Sequence, residues 1–337
     1  MHGLGCWLRA NGHDASVLAS HDEAGEYEID GLPYRTVRAR KLGNVYRELT
    51  PPVTMIPAMT AVLRRTKPDV VHAFSYHDAL ASRLAGRPYL ISYAGIILPR
   101  SWTHLPVQRR MFNRASKDAG VIFCPSVACG EALRTDYGFD YELVPYGLDT
   151  ARFAPTVATV PGRIFCAATP NDARKRPEFL VDAFAIVAAT RPDAHLVFAG
   201  AASDAVQARL LGPLPAELRP RVTFLGNIPQ SQLREEFAKA TVSALTSLNE
   251  AFGLVQIESL AAGTPVVGTR SGASPELITD DIGTLFDPDD VKGCARGLTR
   301  FLDADDPALP ARCMAHARTY DWDAVGPQIV ALYERLT

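Results

Sequence analysis

No apolar run in this chain is long enough to cross a bilayer. The longest, from Tyr89 to Leu98, is about half of what a spanning helix needs. The first ten residues lack the basic-then-apolar layout of a secretory leader. The six cysteines stand at 6, 124, 129, 166, 294 and 313, with no CxxC pair and no Cys/His spacing of a metal centre. A disulfide framework and a zinc site are therefore not expected, and the thiols read as buried and reduced, in the cytoplasm. Net charge is nearly absent: 35 Lys and Arg against 37 Asp and Glu leave −2, which argues against bulk nucleic-acid binding. There is no low-complexity segment.

What is present is an ordinary globular composition, 47% apolar and 21% charged, in 337 residues, enough for two domains with full cores. Short β-prone runs alternate with helical stretches throughout, the pattern of parallel-sheet α/β units. In the first half, strands are expected at 15–19, 32–38, 70–74, 89–93, 121–124 and 142–144. Helices are expected over 4–10, 45–66 (interrupted near Pro51, Pro52 and Pro57), up to 85, over 106–116 and after Ser126 as N-cap. Pro145 to Asp149 marks a boundary. The second series has strands at 163–168, 195–199, 222–225, 242–245, 266–268 and 283–286. Helices are expected from Pro177, over 204–211, 230–240 and 252–262, and at 290–302 and 308–319, before a last amphipathic helix, 322–336. The expected domains are 1–148 and 149–321, with residues 322–337 as a terminal helix.

One stretch carries the chemistry. From Val242 the chain runs strand, loop, helix and strand, ALTSLNEAFGLVQIESLAAGTPVVGTRSGASPELI. On a helical wheel Leu254, Ile257, Leu260 and Ala261 share a face, with Val255 beside it and Gln256 and Ser259 opposite. Glu258 falls in or beside the apolar sector, where a carboxylate is costly unless it is hydrogen-bonded. Glu250 lies in the loop before the helix, whose N-terminus attracts anions. Two acids eight positions apart bracket a phosphate-competent helix end: hydroxyls for the acids, diphosphate for the amides. The plainer reading is a dipole partner and an acid at the rim of a core helix.

Ser247, Glu250, Phe252-Gly253-Leu254, Glu258, Ala262-Gly263, Pro265-Val266-Val267, Gly272 and Pro275-Glu276 together resemble the Glu-x7-Glu signature of the retaining nucleotide-sugar glycosyltransferases of family 4 (group 1). The resemblance implies a GT-B fold, two Rossmann-like domains facing across a cleft, with the last helix crossing back onto the first domain. It implies a retaining, metal-independent transfer from a nucleoside diphosphate sugar, with no cofactor. Glu258 would hold the ribose. Glu250 and the backbone of Phe252, Gly253 and Leu254, beside Thr246 and Ser247, would hold sugar and phosphate. Lys175 aligns with the family's leaving-group lysine; Arg174 stands nearby where the usual Gly-Arg is replaced by Ala168-Thr169. The acceptor, a lipid, a glycan or a small molecule, is not legible.

The chain departs from the family elsewhere. Tyr146 and Leu148 replace Asn and Val at the hinge, and Ala94 stands where the family often has a histidine, leaving that role empty or passing it to Tyr93 or His77. His72 and His13 read as structural, Gly3-Leu4-Gly5 as no phosphate loop, and the Asp287/Asp289 and Asp303/Asp305 pairs as turns, so no metal is assigned. The helix at Met1 looks like the family's first helix, so the first strand and its glycine turn are expected upstream, and their lack should unpair two neighbouring strands. These departures keep two alternatives open: a relative that binds sugar nucleotides without transferring, and a same-fold epimerase. Between residues 33 and 68, Arg35, Arg38, Arg40, Lys41, Arg47, Arg64, Arg65 and Lys67 face only Glu48. This is a solvated face or a peripheral contact with an anionic membrane or anionic acceptor.

Overall fold

The computed structural model describes residues 1–38, 50–93, 95–97, 99 and 105–337, the side chains of 50–53 excepted. Its contacts divide the chain into two units: Met1–Gly147 with Trp322–Thr337, and Leu148–Asp321.

The first unit opens with α1 (His2–Ala10) and β1 (Val17–His21), followed by β2 (Gly25–Ile29) and β3 (Leu32–Arg38). The strand β2 is absent from the sequence reading. Asp30 and Gly31 both turn at positive φ (50° and 74°), and this two-residue Asp-Gly turn pairs β2 antiparallel with β3. Such a dipeptide between strand-like runs is the strongest short hairpin signal there is, and it was legible. The sheet order is β1-β3-β2, with β1 parallel to β3. Next come α2 (Thr50–Thr66), β4 (Val71–Ala73), α3 (Tyr76–Ala85), β5 (Tyr89–Ser92), α4 (Pro106–Lys117), β6 (Val121–Cys124), α5 (Val127–Tyr137) and β7 (Glu142–Leu143). Ser126 caps α5, its Oγ accepting from Cys129 N at 3.1 Å. Strands β4 to β7 form a separate parallel sheet in that order. Among the described residues β1 pairs only with β3 and β4 only with β5, so each keeps one free edge.

One core of this unit gathers Met55, Met59 and Leu63 of α2, Leu80 of α3, Phe112 of α4 and Leu133 of α5 with Ile91 and Ile122 of the four-stranded sheet. A second core gathers Leu4 and Leu8 of α1 with Val325, Ile329 and Leu332 of the terminal helix against Leu90, Val121 and Phe123. Residues 90 and 91 belong to different cores because successive strand side chains point to opposite faces.

The second unit contains β8 (Arg163–Ala167), α6 (Pro177–Ala188), β9 (His195–Ala199), α7 (Asp204–Leu211), β10 (Val222–Phe224), α8 (Gln230–Lys239) and β11 (Val242–Leu245). It continues with α9 (Leu254–Ala261), β12 (Val266–Thr269), α10 (Ser274–Leu277), β13 (Gly283–Phe286), α11 (Val291–Leu302) and α12 (Leu309–Ala317). The helix α13 (Trp322–Glu334) then returns to the first unit. The sheet order is β10-β9-β8-β11-β12-β13, parallel throughout. The chain winds outward from β8 in one direction and then, from β11, in the other. At such a switch point the loops leaving the carboxyl ends of the two central strands splay apart and leave room for a ligand. Strands β11 and β12 are buried along their whole length, as a doubly covered parallel sheet requires.

The helix α9 corrects the wheel. Gln256 and Ser259, placed opposite the core, are 1% and 0% exposed, whereas Leu254, placed in it, is 39% exposed. Gln256 Nε2 donates to Ser274 Oγ at 2.7 Å and Ser259 Oγ to Thr264 O at 3.0 Å, so both polar groups are satisfied inside. The helix packs against α8, α12 and the 3-10 turn Thr150–Phe153, and only the Leu254–Glu258 stripe stays open.

Candidate active site

The loop after β8 sorts its three cations by local geometry. Asp172 Oδ1 accepts from Arg174 N at 3.0 Å, capping the 3-10 turn Ala173–Lys175. The Arg174 guanidinium folds back on the same carboxylate, Nη2 to Oδ2 at 2.7 Å, and stays 83% exposed. Arg176 adopts φ 51°, which turns its side chain over the Phe179 ring (4.4 Å), onto Pro288 O and to Asp289. The Lys175 side chain makes an ion pair with the next loop: its Nζ lies 2.6 Å from Glu250 Oε1, the two side chains 27% and 18% exposed. Burial on that scale strengthens an ion pair relative to a surface one.

The loop after β11 is stitched to its neighbours. Thr246 Oγ1 donates to the carbonyls of Lys175 (2.8 Å) and Arg176 (3.1 Å), and Leu248 N donates to Arg174 O at 3.3 Å. Thr246 therefore holds the cationic loop in place. Ser247 is buried and its Oγ has no partner among the described residues. Asn249, at φ 56°, donates its N–H to Ser271 Oγ at 3.1 Å, and Ala273 N donates to Glu250 O at 2.9 Å. Gly272 sits at φ 58° against the Glu250 main chain, where a Cβ would collide with Glu250 O. Only glycine meets both demands cheaply. Sequence reasoning matched Gly272 to a motif without seeing that it seats Glu250.

Phe252 is buried, edge-on to Tyr320 with ring centroids 5.9 Å apart. Gly253, at φ 92°, is the N-cap of α9, and no side chain caps the helix. Its first N–H groups thus keep their capacity for an anion. One turn on, Glu258 is half-buried, and its carboxylate has no hydrogen-bond partner among the described residues. Desolvation raises it to about 7, opposed among the described residues by the Arg234 cation on α8. Lys175, Glu250, Gly253 and Glu258 therefore lie along the two loops of the switch point and the open stripe of α9. Arg174 pairs with Asp172 and also lies in the field of the Glu250 carboxylate. That capture, between residues two apart in the sequence, was visible as an Asp-x-Arg turn.

The two candidate histidines belong to the first unit. His72 is buried with Nδ1 2.8 Å from Tyr333 Oη, and desolvation lowers it to about 3. His77 packs on Tyr76 (3.9 Å) and is lowered to about 4 by burial. Both are neutral near pH 7. Tyr93 Oη is bonded to Ser116 Oγ at 2.8 Å; Ala94 lies outside the described residues. Asp287, Asp289 and Asp303 are taken up by Arg270, Arg176 and Arg191. Of the basic run, Arg40, Lys41 and Arg47, with Glu48, lie outside the described residues; Arg35 pairs with Glu26, and Arg65 and Lys67 are exposed. No described helix is long and apolar enough to cross a membrane.

Known proteins give this geometry a context. Residues 162–320 match the model of the glycosyl transferases group 1, and residues 1–152 that of glycosyltransferase family 4. The sulfoquinovosyl transferase SQD2 of Arabidopsis thaliana is 26% identical, over 96% of this chain and 67% of its own. A GDP-mannose-dependent phosphatidylinositol monomannoside mannosyltransferase of Corynebacterium glutamicum is also 26% identical, over 96% and 88%. Among solved structures, sucrose-phosphate synthase from Thermosynechococcus elongatus superposes with a TM-score of 0.82 at 21% identity, covering 99% of this chain and 91% of that one. Anabaena HepE, solved with UDP-glucose, gives 0.76 at 18%, covering 95% and 100%. The two family models divide nearly the whole length at the boundary between the two units, and the chain belongs to the family 4 (group 1) glycosyltransferases of the GT-B fold.

Proposed function

We propose that this glycosyltransferase takes its sugar from a nucleoside diphosphate sugar and transfers it with retention at the anomeric carbon. The observation that carries the reading is the Lys175–Glu250 pair, 2.6 Å apart, beside the uncapped N-terminus of α9 with Glu258 in the same open stripe. The α9 amides and Lys175 would receive the diphosphate, Glu250 the sugar hydroxyls and Glu258 the ribose hydroxyls. As the bond from the anomeric carbon to phosphate oxygen breaks, charge grows on the phosphate, and a cation fixed beforehand stabilises that transition state more than the ground state. The acceptor oxygen forms its bond on the face the phosphate leaves. Its proton passes to the departing phosphate, so no side-chain base is needed. No metal or cofactor enters this scheme. HepE, crystallised with UDP and with UDP-glucose, supports a sugar-nucleotide donor in this fold.

The test is incubation with UDP-glucose, GDP-mannose and other labelled sugar nucleotides, against lipid, inositol phosphate and glycan acceptors. The anomeric configuration of the product is read by NMR. Transfer with retention, lost in Lys175→Ala, is expected. Inversion would overturn the mechanism, and tight donor binding without turnover by any acceptor would favour the non-transferring relative. The accompanying placement is cytoplasmic, with Arg65 and Lys67 touching an anionic membrane; absence of flotation with phosphatidylglycerol vesicles at low salt would remove the membrane contact.

A further inference from the structure

Arg234 has no role in the site as drawn so far, yet its surroundings are unusual. It projects from α8 over the ring of Phe153, at 5.5 Å, and Phe153 is almost fully buried in the 3-10 turn that packs against α9. Its Nε is buried with no hydrogen-bond partner, and its Nη2 reaches only Gln230 Oε1, at 3.5 Å. A guanidinium held on an aromatic face with a buried donor left open is costly unless a nearby anion uses its field. The neighbouring helix supplies one: Glu258, itself without a hydrogen-bond partner among the described residues.

We infer that Arg234 is a positioning residue for Glu258: it keeps that carboxylate charged and turned to the open stripe of α9, so that the nucleotide's ribose meets an acceptor and not an acid proton. The inference rests on the proposed nucleotide reading and adds a residue that reading does not use.

Other charges on the elements around α9 are already committed. On the 3-10 turn Arg152 pairs with Asp149. On α8, Glu236 pairs with Arg163 and Lys239, and Glu235 also faces Lys239. On α12, Arg312 pairs with Asp306, and His316 packs on Tyr320. Strands β11 and β12 carry no ionisable group. Among the described residues Arg234 is the one charge that acts on the Glu258 carboxyl, against the desolvation that favours its neutral form. Removing the cation leaves desolvation unopposed. The carboxylate then charges only at higher pH, and nucleotide binding follows it.

Calorimetric titration of the 337-residue protein with UDP, GDP and ADP, from pH 5.5 to 9, tests this. In the wild type, affinity for the tightest of the three should rise through the pH region near 7. In Arg234→Met the rise should move up by about one pH unit, the low end for loss of an adjacent opposite charge. That makes binding roughly fivefold weaker at pH 7, approaching tenfold at lower pH, and nearly equal at pH 9. Arg234→Lys, which keeps the charge, should restore most of the wild-type profile. A merely structural arginine would weaken binding equally at every pH, and that result, or an unmoved rise, overturns the inference. Glu258→Gln separates the two levels. If it binds as the wild type does, the ribose reading falls and Arg234 with it. If it binds weakly and without pH dependence while Arg234→Met is unmoved, only the Arg234 role falls.

Discussion

Glu258→Gln should make the protein more stable and a poorer nucleotide binder at the same time. The carboxyl holds its proton up to about 7 in the fold, against an ordinary value of 4.5. An acid raised on folding binds more protons native than unfolded between those two values, so the free energy of unfolding falls as pH rises through that window and levels off above it. At about 1.36 kcal/mol per pH unit, the full loss is about 3 kcal/mol, of which about 2 kcal/mol lies between pH 5.5 and 8. Glutamine has nearly the same shape and cannot ionise, so it escapes this penalty. Its amide finds no more partners than the acid did, which trims the gain.

Calorimetric melting at pH 5.5 and pH 8 measures the effect. The variant should already melt slightly higher than wild type at pH 5.5, where about 1 kcal/mol of the loss has occurred. Its lead in the transition of the Leu148–Asp321 unit should widen by about 4–8 °C between pH 5.5 and pH 8, the shift that about 2 kcal/mol gives a unit of this size. Titration at pH 8 should show nucleotide binding weakened by roughly 1–3 kcal/mol, the range for a lost hydrogen bond to a charged group. A stability difference that does not change with pH would refute the assignment of the penalty to this carboxyl. A variant less stable than wild type at pH 8 would show that Glu258 is held by contacts the structure does not contain.

Three further outcomes are expected. Lys175→Ala should lower kcat by roughly 10²–10³, the loss typical of one preorganised charge partner, while donor affinity falls less than tenfold; equal fractional losses in both would place Lys175 in ground-state binding only. Gly272→Ala forces a side chain into the left-handed region against the Glu250 main chain, so the second unit should melt lower and turnover should drop, with the strain alone costing about 1–2 kcal/mol; an unchanged melt would show that the loop yields freely. Tyr333→Phe strips His72 of its one hydrogen-bond partner among the described residues, a loss of about 1–3 kcal/mol readable by urea unfolding of the first unit, and no change would mean that the 2.8 Å contact contributes nothing.

How much of this was legible in the sequence depended on where the deciding contacts lie. The six strands of the second unit were readable because parallel strands covered on both faces are written as short unbroken apolar runs, as in Val266-Val267 or Ile164-Phe165. Pro177 and Ser126 marked helix starts by chemistry local to each. The hairpin strand β2 escaped because all five of its residues are exposed, so it has no buried face to print an alternation; only its Asp-Gly turn announced it. The wheel of α9 misled for the opposite reason. A wheel assumes one neighbour on one side, but this helix is packed by α8, α12 and the 3-10 turn as well as by β11 and β12, so polar Gln256 and Ser259 are buried on their own hydrogen bonds while apolar Leu254 lines the open stripe. That inversion is what exposes Glu258. Had α9 packed by its apolar sector alone, the acid would be sealed in the core beyond reach of a ligand. The candidate site exists because a helix at the switch point is clasped on the sides the pattern calls polar, and no reading confined to its own eight residues contains that fact.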